Sequence, residues 1–257
     1  MTEFDRHFRA IVRACSQGRI DREQIVAAAA LCGRAEIDLL VAKLDGLDDA
    51  DLMDGAGDVA DFYWRLRTSY AEVLAGAGGP AVDAMIEALR SVNPRTRSHV
   101  ASALGAAGAG RAFGPLVAAL ADEADDTTRL GLLEALGRLR NPAAFDVLVP
   151  YLSDHSSNGW PARVAAGALG RLGDPRAVGP LAALLRAADD WFVRLGAAEG
   201  LRHLNHPAAA DALRAAAHDP DPRVRKEVLG ALRDLPAAPA AAAAGNAIHR
   251  TPSAPAP

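Results

Sequence analysis

Two histidines three residues apart, His203 and His206, are the nearest this chain comes to a helical metal-binding pair. A zinc or iron site needs three or four donors in fixed geometry, and such a pair supplies only two. Pro207 follows directly, and proline ends a helix, so the two rings are not expected to share a face. No HExxH, CxxC, GxSxG or phosphate-loop pattern occurs. Gly108-Ala-Gly110 has no strand before it and marks a turn, not a dinucleotide loop. Residues 45–61, DGLDDADLMDGAGDVAD, hold seven aspartates, which suggests calcium until the register is counted. Counting back from Gly55 puts Ala50 at the first ligand position and Leu52 at the third, where a calcium loop needs oxygen donors. A solvated acidic connector or capped helix start is expected there. Cys15 and Cys32 each sit among apolar neighbours at helical spacing and are expected to be reduced and packed.

What remains are side chains that bind by shape and charge. Trp160, Trp191, Arg138 and Arg171 are of the types that dominate protein interfaces, and Glu134, Glu199 and His203 accompany them. A nucleic-acid groove would instead carry a continuous basic stripe with stacking aromatics. Here Glu134 and Glu199 flank the two arginines, and the whole chain has a net charge of −4, so general attraction to nucleic acid or anionic lipid is not expected. The opening MTEFDRHFRA is polar and no apolar run is long enough to span a bilayer, so the chain reads as cytoplasmic and soluble.

The elements that position these residues are set by a repeat. Leu104, Leu136, Leu169, Leu201 and Leu232 recur at gaps of 32, 33, 32 and 31, and Leu116, Leu148, Leu181 and Leu213 form a second ladder at a constant offset. Two locked ladders mean two packed segments per unit, the mark of a solenoid. Half of the residues are hydrophobic but only 5% are aromatic, so the apolar area comes from small side chains that suit closely packed helices. In each unit a B helix carries the first ladder and an A helix the second. Between them lie turns such as Arg171-Leu-Gly-Asp-Pro175, where proline should stop one helix and start the next. Acidic links, Asp125-Asp126, Asp189-Asp190 and Asp219-Pro-Asp-Pro222, lead back to the next B helix. The link at 153–161 is longer than the others and ends on Trp160. Within a B helix the ladder leucine and the positions three and four before it should form the core, for example Leu132, Leu133 and Leu136, or Val228, Leu229 and Leu232. The opposite stripe lies five before, two before and two after the leucine. It includes His99, Ser102, Ala106, Gly131, Glu134, Arg138, Val164, Gly167, Arg171, Gly196, Glu199 and His203, and should line the groove.

Trp191-Phe-Val-Arg194 onward, Asp221-Pro-Arg-Val-Arg225 onward and Ala165-Ala-Gly-Ala-Leu-Gly-Arg-Leu-Gly-Asp174 resemble the HEAT-like repeats first named in phycobilisome lyases. The resemblance covers about residues 62–235. It implies that Arg97, Arg129, Arg194 and Arg225, seven residues before their ladder leucines, bond the preceding turn. Arg163 lies only six before Leu169, so its helix start is shifted or its side chain has another task. The resemblance does not choose among activities, because such repeats serve scaffolds and enzymes alike. HEAT-like alkylpurine glycosylases imply a basic groove with Trp and Asp; Trp160, Trp191 and Asp190 match in type, but the stripe is of mixed charge. Deoxyhypusine hydroxylase implies iron held by His-Glu pairs, and no histidine here precedes a glutamate.

The sequence therefore predicts an all-α protein, an α-solenoid (superhelix) of HEAT-like two-helix repeats. Residues 1–61 form a helical cap or divergent repeats with an acidic connector, 62–235 the solenoid, and 236–257 a disordered Ala/Pro-rich tail. The expected function is a scaffold that offers its concave face to a protein partner, without cofactor or metal; the alternative is a HEAT-like enzyme of lyase, oxidoreductase or DNA-base-processing type whose groove site follows no motif.

Overall fold

A computed structural model of the chain describes residues 2–45, 57–154 and 156–236. The acidic connector and the tail therefore lie largely or wholly outside the described residues. Helices account for the fold: α1 (Glu3–Ser16), α2 (Arg22–Ala30), α3 (Arg34–Asp45), α4 (Gly57–Gly76), α5 (Gly79–Ala88), α6 (Pro94–Ala106), α7 (Phe113–Asp122), α8 (Asp126–Arg138), α9 (Ala144–Leu148), α10 (Trp160–Leu172), α11 (Val178–Ala187), α12 (Trp191–Leu204), α13 (Ala210–Ala215) and α14 (Pro222–Asp234). The described residues contain no strand.

Even-numbered helices form one row. From α2 to α14 each packs on the next even-numbered helix, while α3 packs on α5 and α11 on α13 in the second row. The N-terminal helices join this alternation, since α2 and α4 extend the inner row and α1 packs on both. Acidic and amide caps start the inner helices: Asn93, Asp125, Asp190 and Asp221 accept backbone N–H bonds from Arg95, Thr128, Phe192 and Arg223 at 2.7–3.0 Å. The ladders form the core, with Leu104, Leu136, Leu169, Leu201, Leu116, Leu148, Leu181 and Leu213 all at 0% exposure.

What holds neighbouring inner helices together is a seam of small residues. At 3.6 residues per turn, the positions one before and one after a ladder leucine point about 100° to either side, toward the flanking helices. There Gly105 meets Ala135, Gly137 meets Ala168 and Gly170 meets Gly200. A Cβ placed on Gly137 would stand 2.6 Å from the Ala168 Cα, so these backbones touch. The seam ends at α12, where Arg202 occupies the glycine position and pairs with Asp234 at 2.7 Å and Glu227 at 3.3 Å.

The arginines seven before the ladder latch the links. Arg97 donates to the Ser91 and Val92 carbonyls and clamps Glu123 of the following link at 2.7–2.8 Å. Arg194 does the same with Ala188, Asp189 and Asp219, and Arg225 with the Asp219 and Pro220 carbonyls. Arg129 reaches the Glu123 carbonyl. The Arg97 hydrogen bonds hold the Glu123 carboxyl below its ordinary value. Burial pushes Asp219 up, but Arg194 and backbone bonds bring it below its ordinary value. A lowered folded-state value means stability present above the usual carboxylate range, near pH 4, and lost as pH falls through the folded value. Glu123→Gln is therefore expected to lower stability by about 1.5–3 kcal/mol at neutral pH, the scale of a hydrogen bond to a charged group. The gap from the unmodified protein should shrink as pH falls below the ordinary carboxylate range and close once Glu123 is protonated in the folded protein as well. Melting curves across pH 2–7 measure this, and a gap that stayed constant in acid would refute it.

Three local expectations are corrected. Pro175 and Pro207 do not begin an α-helix directly; they open 3₁₀ turns, Pro175–Ala177 and Pro207–Ala209, before α11 and α13. Proline's fixed φ suits either form, and Asp174 and His206 cap the tighter one. Leu229 is not core but 50% exposed, and Leu232 is half-buried, because no described helix packs on the far side of α14. Four residues after the ladder leucine, Gly108, Arg140, Gly173 and Asn205 all take φ between 49 and 77°, which turns the chain into the following helix. The same place after Leu232 is Pro236, whose ring forbids that conformation.

Candidate functional site

The inner row carries the groove. A cavity of about 990 Å³ is lined by His99, Ser102 and Ala106 from α6 and by Gly131, Glu134 and Arg138 from α8, the stripe opposite the leucine ladder. Its charged lining is balanced, Arg67, Arg95 and Arg138 against Glu72, Asp125 and Glu134, so it is not a polyanion channel. His99 is half-buried and shares a 2.7 Å hydrogen bond with the Arg95 carbonyl; burial lowers its pKa, and Arg67 and Arg95 act in the same direction. Beyond this cavity the same face continues over α10 and α12. Glu134 accepts from Arg138 at 2.8 Å and stands 3.7 Å from Arg171, one rung on. Arg163 grips Glu199 through both carboxylate oxygens at 2.7 and 2.8 Å.

Trp160 and Trp191 are not stacked on each other. Phe192 stands between them, with Trp160 edge-on at 4.6 Å and Trp191 at 5.7 Å between ring centroids. The Arg163 guanidinium covers Phe192 at 4.4 Å and Arg223 covers Trp191 at 3.2 Å. Counting from the ladder explains the pairing: Trp160 and Phe192 both lie nine before their leucines, while Trp191 lies ten before. The same count would have found Phe192 in the sequence. It also explains Arg163, which is not a link latch; from six before Leu169 it points across to Phe192 and Glu199. Trp160 is 47% exposed and Trp191 half-buried.

The long link that delivers Trp160 is unusual in its backbone. Ser157, Asn158 and Gly159 have φ of 48, 57 and 77°, three consecutive left-handed residues of which two are not glycine. Glycine and asparagine adopt this conformation readily, but for Ser157 it costs on the order of 1–3 kcal/mol and persists only where neighbours enforce it. The Ser157 hydroxyl, donating to the Asp126 carboxylate at the start of α8, ties the link to the preceding repeat. Gly159 packs under Val193, which leaves no room for a side chain.

His203 is exposed and stands apart from the ion pairs of the groove. His206 lies past the helix end, where Asn205 is left-handed, and caps the Ala208 N–H at 3.3 Å. Among the described residues, no three or more His, Cys, Asp or Glu side chains gather as a metal ion requires. Cys15 is buried beside Ser69, and burial pushes the half-buried Cys32 thiol up to about 11.

This two-row arrangement agrees with the family comparison. The pattern of HEAT repeats matches residues 54–136, 115–202 and 180–252, which together span most of the chain. The chain is a HEAT-repeat protein. The HEAT match starts ahead of residue 62 and runs past 235. No curated protein matches it. Among solved structures, this HEAT-repeat chain is similar to human deoxyhypusine hydroxylase in complex with glycerol, at 20% identity over 78% of this chain and 96% of that one, with a TM-score of 0.36. It is also similar to the complex of CpcE and CpcF of phycocyanin lyase from Nostoc, at 18% identity over 77% and 98%, with a TM-score of 0.40. A designed armadillo repeat protein matches at 19% identity over 78% and 100%, with a TM-score of 0.43. No described helix of the HEAT-repeat chain is long and apolar enough to cross a membrane.

Proposed function

We propose that this HEAT-repeat protein is a scaffold that receives a segment of a partner protein along its inner groove, with Trp160 as the anchor. The observation that carries this reading is the cost the fold accepts to present Trp160. Two non-glycine residues are held left-handed, and an indole is left 47% exposed against Phe192 at the groove's edge. A tryptophan needed only to cover a helix end would not require that link, since α8 and α12 start from short links with aspartate caps. Large rigid aromatics supply contact area at little entropic cost, which is why they dominate interface energetics. Arg138, Arg171, Glu134 and Glu199 provide the polar surround. His203 belongs to this surface by register, as a peripheral contact.

The test is capture of partners from a native extract by the tagged full-length chain. Trp160→Ala is expected to weaken capture by about 2 kcal/mol or more with the melting temperature held to within a few degrees, because the lost contact area faces outward. Trp191→Ala should instead lower the melting temperature, since its ring is half-buried beneath Arg223. Undiminished capture by a stable Trp160→Ala variant would remove Trp160 as the anchor.

A further inference from the structure

Arg171 is the groove residue whose chemistry the folded chain leaves unfinished. Its side chain is only 31% exposed, yet its Nε is buried with no hydrogen-bond partner. Its nearest carboxylate, Glu134, stands 3.7 Å from Nη2, beyond hydrogen-bond reach, and leans to Arg138 at 2.8 Å instead. Burying a guanidinium without acceptors is costly, and here Glu134 offsets only part of the effect of burial. The neighbouring arginine is finished: Arg163 holds Glu199 through two hydrogen bonds. Gly167, one turn before Arg171 on α10, is buried beneath that guanidinium. Two before the first four ladder leucines stand Ser102, Glu134, Gly167 and Glu199, so the glycine leaves room for the arginine to lie between the glutamates of the adjoining rungs. A Cβ at Gly167 would lie 3.6–3.9 Å from the Arg171 Nη2, Nη1 and Cζ, so the guanidinium itself fills the space over the glycine.

We propose that the Arg171 guanidinium takes a single carboxylate, the side chain of an aspartate or glutamate on the partner segment that Trp160 anchors. Arg138 and Arg171 bring two positive charges against one negative on Glu134, a local excess of one, and a carboxylate supplies one negative charge. A phosphate dianion or a longer polyanion would overshoot that excess and meet the free edge of Glu134. The incoming carboxylate accepts from the Nη edge of Arg171 in the paired geometry that arginine and carboxylate favour.

This inference rests on the groove-binding reading, and one experiment separates the two. Random 16-residue peptides displayed on phage are selected against the full-length protein and against its Trp160→Ala and Arg171→Gln variants. The expected outcome is enrichment of peptides with an aspartate or glutamate at fixed spacing from an apolar or aromatic residue. The acidic preference should vanish with Arg171→Gln and the apolar preference with Trp160→Ala. Changing the selected acid to its amide should weaken binding to the unmodified protein about tenfold, the effect of a charged hydrogen bond, and leave Arg171→Gln binding unchanged. That peptide-side comparison stands even if the Arg171→Gln variant folds poorly. In Arg171→Glu the preference should reverse to lysine or arginine. Enriched peptides that depend on Trp160 but show no acidic position would overturn the carboxylate site alone. No enrichment, or enrichment indifferent to both substitutions, would overturn the groove reading with it.

Discussion

Leu136→Ala is expected to destabilise the protein by about 2–5 kcal/mol, the range for emptying a fully buried leucine site. Leu136 is at 0% exposure, and it lies on the α8 ladder between two neighbours with equally buried ladder residues, Leu104 and Leu169. The surroundings cannot collapse to fill the void, because Gly105 and Gly137 already bring the flanking helices to backbone contact. In a solenoid each repeat is stabilised chiefly by its neighbours, so the loss should be concentrated there. Hydrogen exchange should therefore speed most across residues 105–170. Unchanged exchange over that stretch would contradict the register of the repeats.

Gly170→Ala should be as damaging for the opposite reason. In an ordinary helix interior, alanine in place of glycine stabilises by roughly 0.5–1 kcal/mol. At residue 170 the added methyl would be driven into the Gly200 carbonyl and its Cα, backbone atoms that cannot rotate aside. Overpacking a core costs about 1–3 kcal/mol where side chains can adjust. Backbone against backbone lies at the upper end or beyond, so a net loss of about 3 kcal/mol is expected despite the helix gain. Gly110→Ala is the control, since a Cβ there meets nothing within 4 Å and its φ is not left-handed, so the restricted freedom of the unfolded chain should stabilise by about 0.4–1 kcal/mol. Thermal or denaturant unfolding of the two variants should show shifts of opposite sign. Equal shifts would mean that the seam yields easily.

Much of the fold could be read from spacing. Burial repeats with the helices, so the ladder leucines from 104 to 201 and 116 to 213 were identifiable from period alone. The helix starts were legible because Asp125, Asp190 and Asp221 are residues whose side chains cap. The seam left a trace too, a glycine directly after Leu104, Leu136 and Leu169. Its meaning was hidden, because glycine in a helix reads as weakness until the facing helix is known. Leu229 failed for the converse reason: its position matches a core site, but burial also depends on what packs beyond the last helix. At the groove, residue types singled out Trp160, Arg138 and Arg171 as candidates, and Phe192 and the turning of Arg163 into the groove follow from the count back to the ladder leucine. What no composition signals is the left-handed backbone of the link that delivers Trp160.

The glycine seam also gives the molecule a direction-dependent stiffness. Backbones in contact act as hard stops, so pressure that narrows the inner face between α6 and α12 meets resistance at once. In the outer row a Cβ on Gly114 or Gly179 would meet nothing within 4 Å, and α9 is five residues long and α13 six, each running into a 3₁₀ turn. Flexing that spreads the inner face works against side-chain packing alone and is the softer mode. Past α12 the stop gives way to Arg202, a long side chain held by ion pairs to Asp234 and Glu227. The solenoid is thus a spring with a rigid middle and a compliant last coil, and under load it yields first between α12 and α14.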